Sequence, residues 1–197
     1  MMRRLASHVL LFSLVASGAG CASPRSSFYT LSPPAKTGAA AAGYSVAVGP
    51  VSVPEIVDRP QIVVRSGPNQ VSIDEFNRWA SPLPEEIGRA VAGNLGSALG
   101  TPQVSVYPGP TSSGARYRVV IDVLSFDSAP GESATLDAAW VVRSVKDGPQ
   151  RTGRTTASEA VRENGYPALV AAHGRALGKL SADIAGAIRE LERLRDR

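Results

Sequence analysis

The sequence predicts an α+β domain: a twisted, mostly antiparallel sheet with two long helices packed on one face. Three observations point there. Short runs rich in Val, Ile and Thr recur along the chain, separated by Gly, Pro and Asp-Gly signals. Two longer stretches instead repeat apolar residues every three to four positions, the period of a helix. The chain has 197 residues, 43% of them hydrophobic, enough for one domain with its own core.

Met1 to Gly20 carries Arg3 and Arg4, an apolar core from Leu5 to Ala16, then small residues. That is the pattern of a secretory signal peptide, too short and too poorly flanked for a membrane span. It runs into Gly18-Ala19-Gly20-Cys21, and Cys21 is the only cysteine. A cysteine at this junction is where a bacterial lipoprotein is cleaved and acylated, for instance with palmitate. Gly18 departs from the usual Leu of such a site, whereas Ala19 and Gly20 fit it. A solitary cysteine here favours lipidation over ordinary cleavage beside an incidental thiol. Several acyl chains on one residue anchor almost permanently, since each buried methylene contributes about 0.8 kcal/mol. Ala22 follows in place of the Asp that retains lipoproteins at the inner membrane, which favours the outer membrane with the domain on its periplasmic face. Without a second cysteine, no internal disulfide is expected even in that oxidising compartment.

Ala22 to Ser27 reads as a polar tether and Phe28-Tyr29-Thr30-Leu31 as a compact apolar patch. Ser32 to Gly43 is a low-complexity linker. The expected organisation is therefore a signal peptide over 1–20, a lipidated N-terminus and linker over 21–43, and a single periplasmic domain over 44–197. Tyr44 to Val53 alternates, and Gly49-Pro50 suggests a bulge near a sheet edge. The block from Val53 to Leu83 organises the chain. Arg59-Pro60 disfavours helix. Ile62 to Arg65 then favours a short strand, and Val71 with Ile73 a second, so Ser66 to Gln70 reads as a hairpin loop. Trp79 stands where strand meets helix and is expected to be a structural anchor.

A helix should run from about Pro82 to Leu99. Ser81 is its expected N-cap, Glu85 and Glu86 suit its positive end, and Leu83, Ile87, Val91, Leu95 and Leu99 form its apolar stripe. Gly100 then Thr101-Pro102 stops it. Val104 to Tyr107 is a short strand and Pro108 to Gly114 a loop. Tyr117 to Leu124, Thr135 to Val145 and Thr152 to Ala160 should form an antiparallel meander, with an Asp147-Gly148 hairpin signal between the last two. The polar strand Thr152 to Ser158 reads either as a solvated face or as an edge open to strand addition by a partner or a second copy. The last helix should span Tyr166 to Leu194, with Leu169, His173, Leu177, Leu180, Ile184, Ile188, Leu191 and Leu194 in one stripe. Gly174, Gly178 and Gly186 fall inside it, which suggests close packing against the sheet.

The chemistry is sparse. Net charge is +4, and removing Arg3 and Arg4 from the 21 basic side chains leaves 19 against 17 acidic ones, a balance of +2. That is too weak for a nucleic-acid partner. His173 would remain as the only histidine, and its place in an apolar stripe reads as core. One histidine and a lipidated cysteine cannot build a common zinc site. No G-x-S-x-G elbow, Walker A loop or dinucleotide fingerprint is present, so no metal, cofactor or catalytic residue is indicated. Arg59 and Arg78 are candidates for a partner interface or for a salt bridge holding the block.

Asp58-Arg59-Pro60-Gln61, the helix-opening Arg78-Trp79-Ala80-Ser81-Pro82-Leu83 and the Phe28-Tyr29-Thr30-Leu31 segment together resemble the ABC-type transport auxiliary lipoprotein family, over about the whole mature chain. The resemblance implies an accessory protein and not an enzyme. It implies an MCE-domain substrate-binding protein and an ABC-type permease as partners, with docking at the outer membrane during traffic of lipids or hydrophobic compounds that bears on membrane integrity. A homo-oligomer stays open. Two other classes remain. One is a lipid-binding module whose helix–sheet seam holds an acyl chain, marked by a deep apolar cavity. The other is a periplasmic hydrolase, marked by His173 meeting a serine and a carboxylate in an open cleft.

Overall fold

A computed structural model of the protein describes residues 25–31, 43–146 and 148–195. The elements follow as β1 (Ser27–Tyr29), β2 (Val46–Ser52), β3 (Gln61–Gly67), β4 (Gln70–Trp79), α1 (Leu83–Leu99), β5 (Val104–Val106), β6 (Tyr117–Ala129), β7 (Ser133–Ser144), β8 (Gln150–Ala160) and α2 (Tyr166–Arg195). The class is α+β, as the periodicities predict. The strands divide into two sheets, however: β1-β4-β3, and β5-β2-β6-β7-β8. Strands joined by tight turns return antiparallel, giving the β3–β4 hairpin and the β6–β7–β8 meander. β2 instead lies parallel to both β5 and β6, and β1 parallel to β4. Parallel neighbours need a long crossover, which the hairpin and α1 supply between β2 and β5.

Only the second half of β2 lies at an edge. β5 covers Val46 to Val48, a register shift follows, and Val51 and Ser52 pair with β6 alone. Gly49 at the shift has φ +126°, and a Cβ there would stand 2.6 Å from the Tyr107 carbonyl oxygen. Only glycine tolerates that backbone and that approach.

The inward faces of the larger sheet carry Val46, Val48, Val119, Ile121, Leu136 and Val142, all fully buried. α1 packs over β2 and β5, α2 over β7 and β8, and the two helices lie side by side. Each fully buried Leu or Ile in this layer contributes about 1.5–3 kcal/mol relative to exposure. The α1 stripe of Leu83, Ile87, Val91, Leu95 and Leu99 is buried as the four-residue spacing requires. Its N-cap is Pro82 with no side-chain cap bond, so Ser81 does not cap it. At the other end Gly100 is left-handed, and its side-chain-free backbone lets a cap N–H reach the Gly96 carbonyl.

In α2 the stripe from Leu169 to Leu191 is buried, whereas Leu194 is exposed at the charged helix end. The helix glycines do not serve close packing. A Cβ on Gly174, Gly178 or Gly186 would meet nothing within 4 Å, because the three lie on a half-exposed flank rather than on the sheet side. Asp147 of the expected β7–β8 turn lies outside the described residues.

Candidate functional site

The three sequence pieces that stand out along the chain meet in space. The Trp79 N–H donates to the Pro60 carbonyl at 2.7 Å, which lays the Asp58–Gln61 segment against the end of β4. On the other side of β4, β1 pairs Phe28 with Arg78 and Tyr29 with Trp79, and the Ala80 N–H reaches the Tyr29 carbonyl at 2.8 Å. Residues 27–29 are thus a sheet strand and not tether. Tyr29 donates to the Asn77 side-chain oxygen at 2.7 Å. Leu31, buried, donates its N–H to Glu86 at 3.0 Å. Glu86 reads from sequence as a helix-dipole residue, yet it is 1% exposed and also accepts from Arg89 at 2.8 Å. A buried carboxylate is tolerable only when paired and hydrogen-bonded, and Glu86 has both kinds of partner. It clamps the chain emerging from the N-terminus onto α1.

Trp79 is 5% exposed and meets Phe126 edge-on, with centroids 6.1 Å apart. Phe126 in turn stacks on His173 at 3.9 Å, and His173 Nε2 lies 2.8 Å from the Ser128 hydroxyl. This row joins the small sheet to α2 through β6. Phe126 and Ser128 reach the interior because β6 shifts register between Val123 and Ser125, which reverses the alternation. The hydrolase arrangement is not assembled here. His173 and Ser128 are both buried, and His173 Nδ1 has no hydrogen-bond partner, hence no orienting carboxylate. Burial alone pushes the imidazole down to about 3 from its ordinary 6.5, so it is neutral at physiological pH.

The arginines of the block differ. Arg78 is committed locally: its Nε donates to the Glu75 carbonyl at 2.8 Å and a terminal nitrogen lies 3.6 Å from the Glu75 carboxylate. Arg59 is half-buried in the loop before β3, and its Nε is buried without a partner. Beside that loop a groove of about 160 Å³ opens between the β3–β4 hairpin and the outer side of β6. Ile56 and Val71, each 47% exposed, and Leu124, 45% exposed, all line it. Arg65 closes one rim by a two-pronged ion pair to Asp127. A groove that gathers three of the exposed large apolar side chains is suited to covering by another surface. Sequence reasoning did not find it, because Ile56 and Leu124 are 68 positions apart and meet only through the fold.

The helix–sheet seam is filled by Leu95, Leu177, Leu180 and Ile184, all fully buried. Two wider clefts, about 450 and 420 Å³, lie at the far end of the large sheet and are lined by Arg116, Lys146, Arg118 and Arg143 among others. An acyl chain in the seam has no support in this packing. Cys21 lies outside the described residues. Among the described residues no helix is long and apolar enough to cross a membrane.

No curated protein is similar enough to match the chain. Among solved structures, a crystal structure of an uncharacterized protein superposes with a TM-score of 0.67 at 22% identity, covering 84% of this chain and 99% of that one. The protein XCC0632 from Xanthomonas campestris, of the family DUF330, gives 0.59 at 18% identity, with 81% and 93% covered. The PelC dodecamer from Paraburkholderia phytofirmans gives 0.42 at 18% identity, with 74% and 91% covered. The family model described as ABC-type transport auxiliary lipoprotein component matches residues 29–185, from the Tyr29 that pairs with Trp79 to the buried Ala185 of α2. Covering residues 29–185, with both the Asp58–Gln61 and Arg78–Leu83 segments inside it, that match shows that the chain belongs to the family of ABC-type transport auxiliary lipoprotein components.

Proposed function

We propose that the protein works by anchoring and protein contact: a lipoprotein held by Cys21 at the periplasmic face of the outer membrane, docking an MCE-domain substrate-binding protein and its ABC-type permease. The family supports the coarser half of this reading, an auxiliary lipoprotein component of ABC-type transport. The finer half rests on the sequence and on one structural observation. Ile56, Val71 and Leu124 converge, exposed, on the groove beside the Arg59 loop. Within that reading residues 1–20 are removed as a signal peptide, Cys21 is acylated, and Ala22 directs the protein to the outer membrane. The chain from Cys21 then enters the folded unit at β1, which the Leu31–Glu86 bond helps to hold. Trp79 holds the block together, and Arg59, rather than the locally paired Arg78, is the arginine that meets the partner. The transported compounds are lipids or other hydrophobic molecules, and the protein performs no bond chemistry on them.

Co-purification from detergent-solubilised membranes tests the docking. Leu124→Asp and Arg59→Ala should keep the wild-type melting curve and recover markedly less MCE-domain protein. If both recover as much as the wild type, docking does not use this groove. If Arg59→Ala melts as early as Trp79→Ala, the arginine belongs to the scaffold.

A further inference from the structure

At the opposite end of β6 from the docking groove, two arginines stand face to face. Arg118 on β6 and Arg143 on β7 are direct cross-strand partners. Their neighbours Val119 and Val142 point into the core, so both guanidinium groups leave the sheet on the face away from the helices. Like charges directly opposite each other destabilise a sheet. Elsewhere the same protein avoids this: Arg154 meets Asp137 and Arg65 meets Asp127. Among the described residues, no carboxylate pairs with Arg118 or Arg143.

Arg118 is also held in place. Its Cζ lies 3.8 Å from the centroid of the Tyr107 ring. Tyr107 is fixed in turn by its N–H to the Val48 carbonyl at 2.8 Å. A guanidinium stacked on a ring keeps its edge donors free, and the Arg118 Nε is buried with no hydrogen-bond partner. Both arginines line a cleft of about 420 Å³ together with the hydroxyl-bearing Ser144 and the amide-bearing Gln150. Gly148 also lines it, so close to β7 that a Cβ there would stand 2.5 Å from the Ser144 Cβ.

We propose that this cleft binds a phosphate group, either as a free oxyanion or as the ester of a phospholipid headgroup. A tetrahedral dianion or diester offers several acceptor oxygens to two guanidinium forks at once. It would supply the acceptor that the buried Arg118 Nε lacks and offset the repulsion between the two arginines. Gln150, the cross-strand partner of Arg143 on β8, adds a neutral donor on the same face. The inference goes beyond the docking reading and stands if that reading fails.

Titration calorimetry of the full-length protein in detergent tests it, with inorganic phosphate and, separately, short-chain dihexanoyl phosphatidylglycerol as ligands. At least one should bind saturably. Arg118→Gln and Arg143→Gln should each weaken that binding by about tenfold or more, as loss of a charged hydrogen-bond donor does. Lys146→Gln, which lies outside this cleft, should bind as the wild type. Tighter binding of the lipid than of phosphate assigns a headgroup, and the reverse a small oxyanion. Without ligand, Arg143→Gln should melt no lower than the wild type, since it relieves a like-charge contact, which separates lost binding from lost folding. Absence of saturable binding for both ligands, wild-type affinity in both arginine variants, or an equal loss in Lys146→Gln would overturn the assignment.

Discussion

His173 gives the most direct physical prediction, because its environment has a calculable consequence for stability. The chain holds two histidines, His8 and His173. If the first twenty residues are removed, His173 is the one imidazole left. Burial pushes it down to about 3 from 6.5. Above about pH 6.5 the imidazole is neutral in both the folded and unfolded chain, and contributes no pH dependence. Between that value and about 3, the unfolded chain takes up a proton that the folded chain refuses. Stability must therefore fall as pH falls, by about 1.4 kcal/mol per unit. From about pH 6.5 to about pH 5 the loss comes to about 2 kcal/mol, a large share of the roughly 5–15 kcal/mol of a typical domain. Two carboxylates with lowered values act at lower pH. In Asp74, burial acts upward, but bonds from the Tyr166 hydroxyl and the Phe76 and Asn77 N–H groups outweigh it and hold it below its ordinary 3.8. Lys179 and Arg175 hold Glu159 below its ordinary 4.5. Both lose their contribution only as pH falls through and below those values. Urea unfolding of the wild type and His173→Gln at about pH 7 and about pH 5 measures the difference. The wild type should lose about 2 kcal/mol more than the variant. Equal losses would refute the neutral, buried histidine. A folded His173→Gln protein should also retain its transport role, and loss of that role would count against a purely structural residue.

Trp79→Ala removes a buried ring packed on Phe126 and should cost about 3–5 kcal/mol, lowering the melting temperature and cellular abundance; an unchanged melting curve contradicts its part in the row from the small sheet to α2. Gly178→Ala should act in the other direction, raising stability by about 1 kcal/mol, because the helix gains propensity and the new methyl meets nothing within 4 Å. Destabilisation there would mean that this flank is packed. Cys21→Ser should abolish acyl labelling and move the protein to the soluble periplasmic fraction, whereas continued membrane fractionation with unchanged labelling rejects the anchor.

Local pattern carried much of this fold. The stripe from Leu169 to Leu191, the alternation of Tyr117, Val119, Ile121 and Val123, and the hairpin across Ser66 to Gln70 each depend on near neighbours, and each lies where its period places it. Long-range pairing was not legible. Nothing local in Val46 to Ser52 says that it will lie parallel between β5 and β6, or that the strands will divide into two sheets. The register shift after Val123 is equally silent. It sends Phe126 and Ser128 inward to meet His173, in a part of β6 beyond Leu124, where the sequence alternation ends the strand. Glu86 lies in the first turn of α1, as its charge suggests, but its bond to Leu31, 55 positions away, has no local signal. Of the site, Trp79 and Arg59 could be singled out from their motifs. Arg78 could be as well, though its local bond to Glu75 cannot be seen without coordinates. The Arg118–Arg143 pair needs the β6–β7 register before it is visible at all.

On the proposed reading, the groove beside the Arg59 loop meets a transport partner. In-cell photo-cross-linking tests it most directly, with a benzophenone side chain placed at Leu124 in the groove or at Ala182, an exposed position on α2. Leu124 should give an adduct with the MCE-domain protein and Ala182 none. An adduct from Ala182 with none from Leu124 would contradict it, and put the contact on the helical face instead.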